Sequence, residues 1–184
     1  RKLNPQLIVL YYLRNLLIPQ LSNNKENIFL EIGSGNGNLP ELLIRQYSPK
    51  IFFIVDLPES IVNAFIYLSD TYLNAEIALP NIVREKQELK GVTAKPFNKE
   101  TKIISLTPWQ LDMIPDNSIY FIANNAFLQE IKISQISNYC KIINRAAIND
   151  GFFLCVNRVE KIPCGSNAFD VEQPEPPNRF YEYP

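Results

Sequence analysis

The chain of 184 residues contains no histidine, and that absence removes several chemistries together. Ser-His-Asp triads, histidine-paired cysteines and the H-E-x-x-H zinc helix all need an imidazole. Any proton transfer must then fall to a carboxylate, Lys, Tyr or Cys. Cysteine is scarce as well: Cys140, Cys155 and Cys164 are an odd number with no C-x-x-C, a pattern of reduced thiols in a cytosolic core and not of a disulfide frame or zinc site. Neither sign of charge dominates. Eighteen Lys and Arg against nineteen Asp and Glu leave a net charge of -1, so no basic field points to nucleic acid and no block of like charge to an interaction tail. Long apolar runs are missing too. The most apolar N-terminal run, LIVLYYLRNLLI, contains Arg14 and Asn15 and falls short of the roughly 20 residues of a membrane span. It reads as a packed amphipathic helix, and no membrane is expected as a partner. The chain opens at Arg1 and shows no signal-peptide pattern, so a cytoplasmic location and a small-molecule partner are the expectations.

What is present suits a single soluble domain: 46% hydrophobic and 20% charged residues are enough to bury one core. After the leading helix, Pro5 to about Pro19, and a polar hinge SNNKEN, the run Ile28 to Ile32 predicts a buried strand. Asn38 is the expected cap of the next helix, with Pro40 and Glu41 in its first turn and Pro49 as its stop. IFFIV, Ile51 to Val55, is a continuous apolar run of the kind found when both faces of a parallel sheet are covered, with Asp56 at its carboxyl end. Pro58 and Glu59 open a helix whose Ile61, Phe65, Leu68 and Tyr72 share a face. AEIAL reads as a short edge strand, and REKQELKGVTAKPFNKE as a charged, solvated excursion. Strand character returns in KIISLT, SIYFIA and FFLCVNR. A periodic helix between the last two carries Ile133, Ile136, Cys140, Ile143 and Ala147, and Asp150–Gly151 is expected to end it. Strands alternating with helices imply crossovers, a parallel sheet and ligand binding at the carboxyl ends of the strands.

The stretch LEIGSGNGNLPELL, Leu30 to Leu43, places three glycines between the first strand and a helix. Such a turn lets backbone approach a ligand and aims helix N-terminal amides at it. Asp56, ending the second strand about twenty residues on, stands where a ribose-hydroxyl partner belongs. Spacing separates the ligand classes. A dinucleotide turn has G-x-G-x-x-G and meets a pyrophosphate, whereas Gly33, Gly35 and Gly37 are spaced G-x-G-x-G. Glu31, two residues before the first glycine, would repel a pyrophosphate and suits a cationic ligand bearing an ammonium group. S-adenosylmethionine carries an ammonium and a sulfonium.

LEIGSGNG followed by IVDLPES resembles the first two motifs of class I S-adenosylmethionine-dependent methyltransferases. TPWQL, NNAFLQEI and NR with a final YEYP resemble the sugar O-methyltransferases of that class. The resemblance covers most of Ile28 to Pro184. It implies an α/β, three-layer Rossmann-like methyltransferase fold with a mostly parallel sheet. An antiparallel strand pair usually closes that sheet, and Pro184 comes too early for both strands, so either the sequence is a fragment or that edge is missing. It implies that Glu31, Gly33, Gly35 and Gly37 hold the methionine end and Asp56 the ribose. Thr107, Trp109 and Gln110, in the loop after the third strand of the motif series, are candidates around the adenine. The fourth strand of that series ends in ANNAFLQEI, which places Asn124 as a further cofactor contact and Asn125, Phe127 and Gln129 beside the acceptor. Glu130 is the leading candidate for the general base, with Asp112 and Asp116 behind it. Tyr181 in the aromatic tail is an acceptor-stacking candidate. The expected organisation is a helix and hinge over 1–24, a cofactor-binding core over 25–160 and an irregular Pro/aromatic segment over 161–184. The expected activity is methyl transfer to a hydroxyl of a carbohydrate or glycosylated intermediate. No compact metal-ligand cluster is visible, and dependence on a divalent ion stays open. A nicotinamide-dependent oxidoreductase explains the glycines and Asp56 but neither Glu31 nor the glycine spacing, and a methyltransferase-like partner module without turnover is the third alternative.

Overall fold

The computed structural model describes residues 11, 12, 15, 21, 24, 26–73, 75–80, 85–94, 101–161 and 178–184. The predicted leading helix falls almost wholly outside the described residues, as do Cys164, the charged stretch 95–100 and the Pro-rich stretch 163–177. Strand β1 (Ile28–Ile32) is followed by helix α1 (Asn38–Tyr47), β2 (Ile51–Val55), α2 (Pro58–Thr71), β3 (Ile77–Ala78), α3 (Lys86–Ala94), β4 (Lys102–Leu106), β5 (Ile119–Asn125), α4 (Ile133–Ala146) and β6 (Ala147–Val156). Six strands form one sheet in the order β3-β4-β2-β1-β5-β6, and every pairing in it is parallel. The order reverses between β1 and β5, so the carboxyl ends of those two strands flank the crevice where parallel α/β sheets bind ligands. A separate antiparallel ribbon, β7 (Glu160–Lys161) with β8 (Asn178–Arg179), lies against the short 3-10 turn Leu128–Glu130.

Helices cover both faces of the sheet, which is why β2 reads as an unbroken apolar run. On one face Phe29, Phe52, Ile54 and Phe121 pack under Leu43 of α1 and Ala64 and Leu68 of α2. The Phe29 ring centroid lies 5.2 Å from that of Phe121 and 6.0 Å from that of Phe52, both edge-on. On the other face Leu30, Ile32, Phe53 and Ile104 meet Leu89 of α3 and Ile143 and Ala146 of α4. Each of the Leu, Ile and Phe side chains contributes about 1.5–3 kcal/mol through burial. Together these layers hold the strand ends, and the loops on them, in fixed register.

Three local expectations are corrected. Asn38 is the first helical residue of α1 and not its cap; Gly37 caps it at φ +80° without a side-chain bond. The chain enters the helix from the left-handed region, where an L side chain is strained, so glycine takes the capping position. Helix α4 ends at Ala146, ahead of Asp150–Gly151. Its last carbonyls are already met: the Asn117 and Ser118 amides donate to Arg145 O and Ala146 O at 2.9 and 2.8 Å, so no glycine cap is needed. Asp150 and Gly151 lie inside β6 instead, where β5 advances two residues, Ile119 to Phe121, while β6 advances five, Ala147 to Phe152. Third, the charged excursion contains α3, whose Leu89 is fully buried. Among the described side chains of α3, Leu89 is the buried apolar one and anchors the helix to the sheet.

Candidate functional site

The loop from β1 to α1 is laced to the end of β2. The Gly33 and Ser34 amides both donate to Val55 O, at 2.7 and 3.2 Å. Ser34 Oγ accepts the Val55 N–H at 3.1 Å and donates to Glu31 O at 3.3 Å. Asp56 completes the brace: one carboxylate oxygen accepts the Gly35 N–H and the other the Leu57 N–H, each at 2.7 Å. All three glycines have positive φ, and each answers a different demand. A Cβ on Gly33 would stand 2.1 Å from Phe127 Cβ, and one on Gly37 3.3 Å from the Ala64 backbone. Those two positions let the loop close on β5 and let α1 close on α2. Gly35, at φ +51°, has no protein atom within 4 Å of its Cβ position and faces open space.

That space is a cleft of about 610 Å³ at the crevice between the ends of β1 and β5. Its walls include Glu31 and the glycine loop, the first residues of α1, Asn125 and Gln129 after β5, and Asn157 and Arg158 after β6. Glu31 is 2% exposed, and its Oε2 has no hydrogen-bond partner among the described residues. Burial, and then the negative charge of Asp56, push the Glu31 carboxyl well above its ordinary pKa. A buried carboxylate without a donor is costly, and it is relieved by a cation placed in the cleft. In the same cleft, Asn38 and Leu39 open α1, whose first-turn amides have no intrahelical acceptors and favour an anionic group. The cleft therefore offers a site for positive charge and one for negative charge side by side, which fits the ammonium and carboxylate of an amino-acid moiety.

Beside it, β5 and β6 end in a carboxamide network. Asn124, fully buried, donates through Nδ2 to Ile32 O at 2.9 Å and accepts Asn157 Nδ2–H at 2.8 Å through Oδ1. Asn157 Oδ1 accepts the Gln129 N–H at 3.0 Å, and Gln129 Oε1 accepts the Arg158 N–H at 2.6 Å. Gln129 Nε2 donates to Glu130 Oε1 at 3.1 Å. Three strands are thereby tied at their carboxyl ends, β1 to β5 to β6.

The structure brings together Glu31, Gly33, Gly35, Asn125 and Gln129 as cleft walls. Gly37, Asp56 and Asn124 stand behind them as braces. Phe127 packs edge-on to Tyr139 at 5.4 Å and underneath Gly33. Thr107 and Gln110 form a capping box for the 3-10 turn Pro108–Met113, and Gln110 Nε2 also donates to Pro80 O at 2.9 Å. Trp109 projects from that turn, 67% exposed. Glu130 is not among the residues that line the cleft and is tied to it by the bond from Gln129 Nε2, and Tyr181 is exposed on the 3-10 turn after β8. Of the secondary carboxylates, Asp116 pairs with Arg145 at the opposite ends of the strands. Ser34, Asn157 and Arg158 were not singled out as site residues from sequence. For the last two the signal is an Asn-Arg pair directly after the apolar run FFLCV; for Ser34 it is a hydroxyl between two turn glycines. Among the described residues no cluster of acidic or sulfur ligands is placed to hold a metal, and no helix is long and apolar enough to cross a membrane.

No family model matches the chain, and no curated protein matches it. Solved structures do. One is a protein of Methanococcus maripaludis described as an S-adenosyl-L-methionine-dependent methyltransferase, with TM-score 0.54 and 15% identity over 82% of this chain and 55% of that one. The YcgJ protein of Bacillus subtilis gives 0.53 and 19% over 84% and 53%. A protein of Galdieria sulphuraria described as a sarcosine dimethylglycine methyltransferase gives 0.56 and 14% over 84% and 48%. The chain spans about half the length of each. Identities this low show a shared architecture, and the architecture is the Rossmann-like α/β fold of S-adenosylmethionine-dependent methyltransferases.

Proposed function

We propose that the chain binds S-adenosylmethionine and transfers its methyl group to a hydroxyl of a sugar or glycosylated intermediate. The observation that carries the cofactor assignment is Glu31: a buried carboxylate oxygen without a donor, at the floor of a cleft formed by the glycine loop. Glu31 would take the ammonium, and the α1 amides at Asn38 and Leu39 the carboxylate. Asp56, already holding Gly35 in place, would take the ribose hydroxyls, and the Thr107–Gln110 turn with Trp109 would border the adenine. The bound cofactor supplies an electrophilic methyl on a sulfonium, which leaves as a neutral thioether when an acceptor oxygen bonds the methyl carbon. The chain's own task is to orient that oxygen in line, exclude water and accept the hydroxyl proton. Asn125 and Gln129 would orient the acceptor, with Phe127 supporting the wall behind them, and Glu130 would accept the proton. The tail ribbon lies against the turn that carries Gln129 and Glu130, which supports Tyr181 as part of the acceptor side.

The glycine spacing and the acidic cleft floor favour this reading over a nicotinamide enzyme, since a pyrophosphate would meet the Glu31 carboxylate. Calorimetry tests it: S-adenosylhomocysteine should give a binding heat and NADH none. The reverse result would transfer the site to the oxidoreductase class. Glu130→Gln should lower turnover by roughly 10²- to 10⁴-fold while S-adenosylhomocysteine affinity is retained. Undiminished turnover would remove Glu130 from the role.

A further inference from the structure

We infer that the acceptor is anionic, and that Arg158 is the residue that recognises its carboxylate or phosphate group; this rests on the methyltransferase reading of the same cleft. Among the described residues that line the cleft, Glu31 and Arg158 are the two ionisable ones. The others are neutral carboxamides, a serine, glycines and apolar side chains. Arg158 is exposed and forms no ion pair with a described residue, although the chain pairs Arg45, Arg145 and Arg179 with carboxylates. A cation at the cleft with no counter-charge among the described residues is a recognition group for an anion, and the guanidinium fork suits planar, bidentate binding of carboxylate or phosphate.

Its backbone is held for that purpose. The Arg158 N–H is clamped by Gln129 Oε1 at 2.6 Å, the neighbouring Asn157 side chain bridges Asn124 and the Gln129 amide, and Asn124 is itself bonded to β1. The clamp reaches from the cofactor strand to Arg158 through three buried or half-buried carboxamides. It fixes where the cation emerges, so less ordering is needed when an anion binds.

Position separates Arg158 from the cofactor's own carboxylate. Glu31 is in register with Ala123, and Ala123 with Leu154, so Arg158 lies four residues beyond that level. It is also two strand spacings across, roughly 9–10 Å. The ammonium and carboxylate of an amino-acid moiety share one carbon. An ammonium held at Glu31 therefore leaves its carboxylate at the glycine loop, where the α1 amides receive it, and leaves Arg158 to the second substrate. That places the acceptor's negative charge on the β6 side of the cleft, beyond Gln129.

The test uses the full chain saturated with S-adenosylhomocysteine and two matched comparisons by calorimetry: glucuronate against glucose for a carboxylate, and glucose 6-phosphate against glucose for a phosphate. At least one anionic sugar should bind tenfold or more tightly than glucose. Arg158→Gln should abolish that advantage, Arg158→Lys should restore part of it, and S-adenosylhomocysteine affinity should be the same in all three proteins. Equal binding, or no binding, across both comparisons overturns the inference. So does an Arg158→Gln protein that loses S-adenosylhomocysteine affinity, which would give the guanidinium to the cofactor. Absence of S-adenosylhomocysteine heat from the unmutated protein sinks the cofactor assignment instead, a result separate from any sugar preference.

Discussion

Replacing Glu31 by Gln should raise the stability of the ligand-free protein at neutral pH and weaken the cofactor at the same time. The carboxyl is fully buried, its Oε2 has no donor, and burial and then Asp56 raise its pKa well above the ordinary 4.5. The folded state therefore holds the Glu31 proton more tightly than the unfolded chain does. Its contribution is fully present below the unfolded pKa and is lost as pH rises through the folded one. Between the two values the loss runs at up to about 1.4 kcal/mol per pH unit. Gln has the same shape and no charge, so this slope should vanish in Glu31→Gln. Thermal melts from about pH 5 to about pH 9 should show the wild-type midpoint falling relative to the variant. Binding reports the same group from the other side. Loss of a charge-assisted bond should cost about 1.5–3 kcal/mol, roughly 10- to 100-fold in the dissociation constant for S-adenosylhomocysteine. An ammonium in the cleft favours the ionised carboxylate, so the wild type should release a proton on binding and the variant none. Calorimetry in two buffers of different ionisation enthalpy measures that proton directly. Parallel melting curves together with unchanged affinity would refute the reasoning.

Two further perturbations probe the frame around the cleft. Gly33→Ala should cost about 3 kcal/mol or more, since it combines overpacking with a left-handed conformation, whereas Gly35→Ala should cost only about 1–2 kcal/mol of backbone strain; urea unfolding compares them, and equal losses would contradict the Phe127 contact. Asn124→Ala removes the bond to Ile32 O and one of the two acceptors of Asn157 Nδ2, leaving Cys155 Sγ as the other, for an expected loss of about 2–4 kcal/mol by chemical denaturation; a loss within about 0.5 kcal/mol would mean that the carboxamide network is dispensable.

The sheet was legible because its strands are signalled locally. IFFIV is apolar at every position, as suits a strand covered on both faces, and β1, β4 and β5 were marked by shorter apolar stretches, IFL, II and IYFIA. The glycine loop was legible for a similar reason: three positive-φ positions leave a mark in three residue identities. Residues whose roles depend on distant partners were harder to read. Asp56 was assigned to a ligand, and the structure shows it also bracing Gly35 and Leu57. Thr107 and Gln110 were read as cofactor contacts, and the structure shows a further, local role, a capping box written as a Thr three residues before a Gln. The end of α4 was misplaced because the Asn117 and Ser118 amides that satisfy it come from another part of the chain. Arg158 is signalled only by an Asn-Arg pair after FFLCV, which does not say what the guanidinium faces. Only the folded sheet shows that the clamp on its amide begins at Asn124.

The irregular segment of β6 bears on how the molecule behaves at high concentration. Among the described residues β6 is the outermost strand on its side of the sheet, and a long straight edge is a template for pairing with another copy. Here the extra residues between Ala147 and Phe152 break the hydrogen-bonding rhythm, and Asn149 and Asp150 are exposed at that point. Gly151 lets the backbone turn back toward β5, with its Cβ position only 3.0 Å from Ile148 O and 3.1 Å from Tyr120 O. A bulge that bends the strand and presents a carboxylate makes edge-to-edge addition of a second sheet unfavourable. Asn149, Asp150 and Gly151, at the amino end of the strand and away from the cleft, thus disfavour pairing along that stretch of β6.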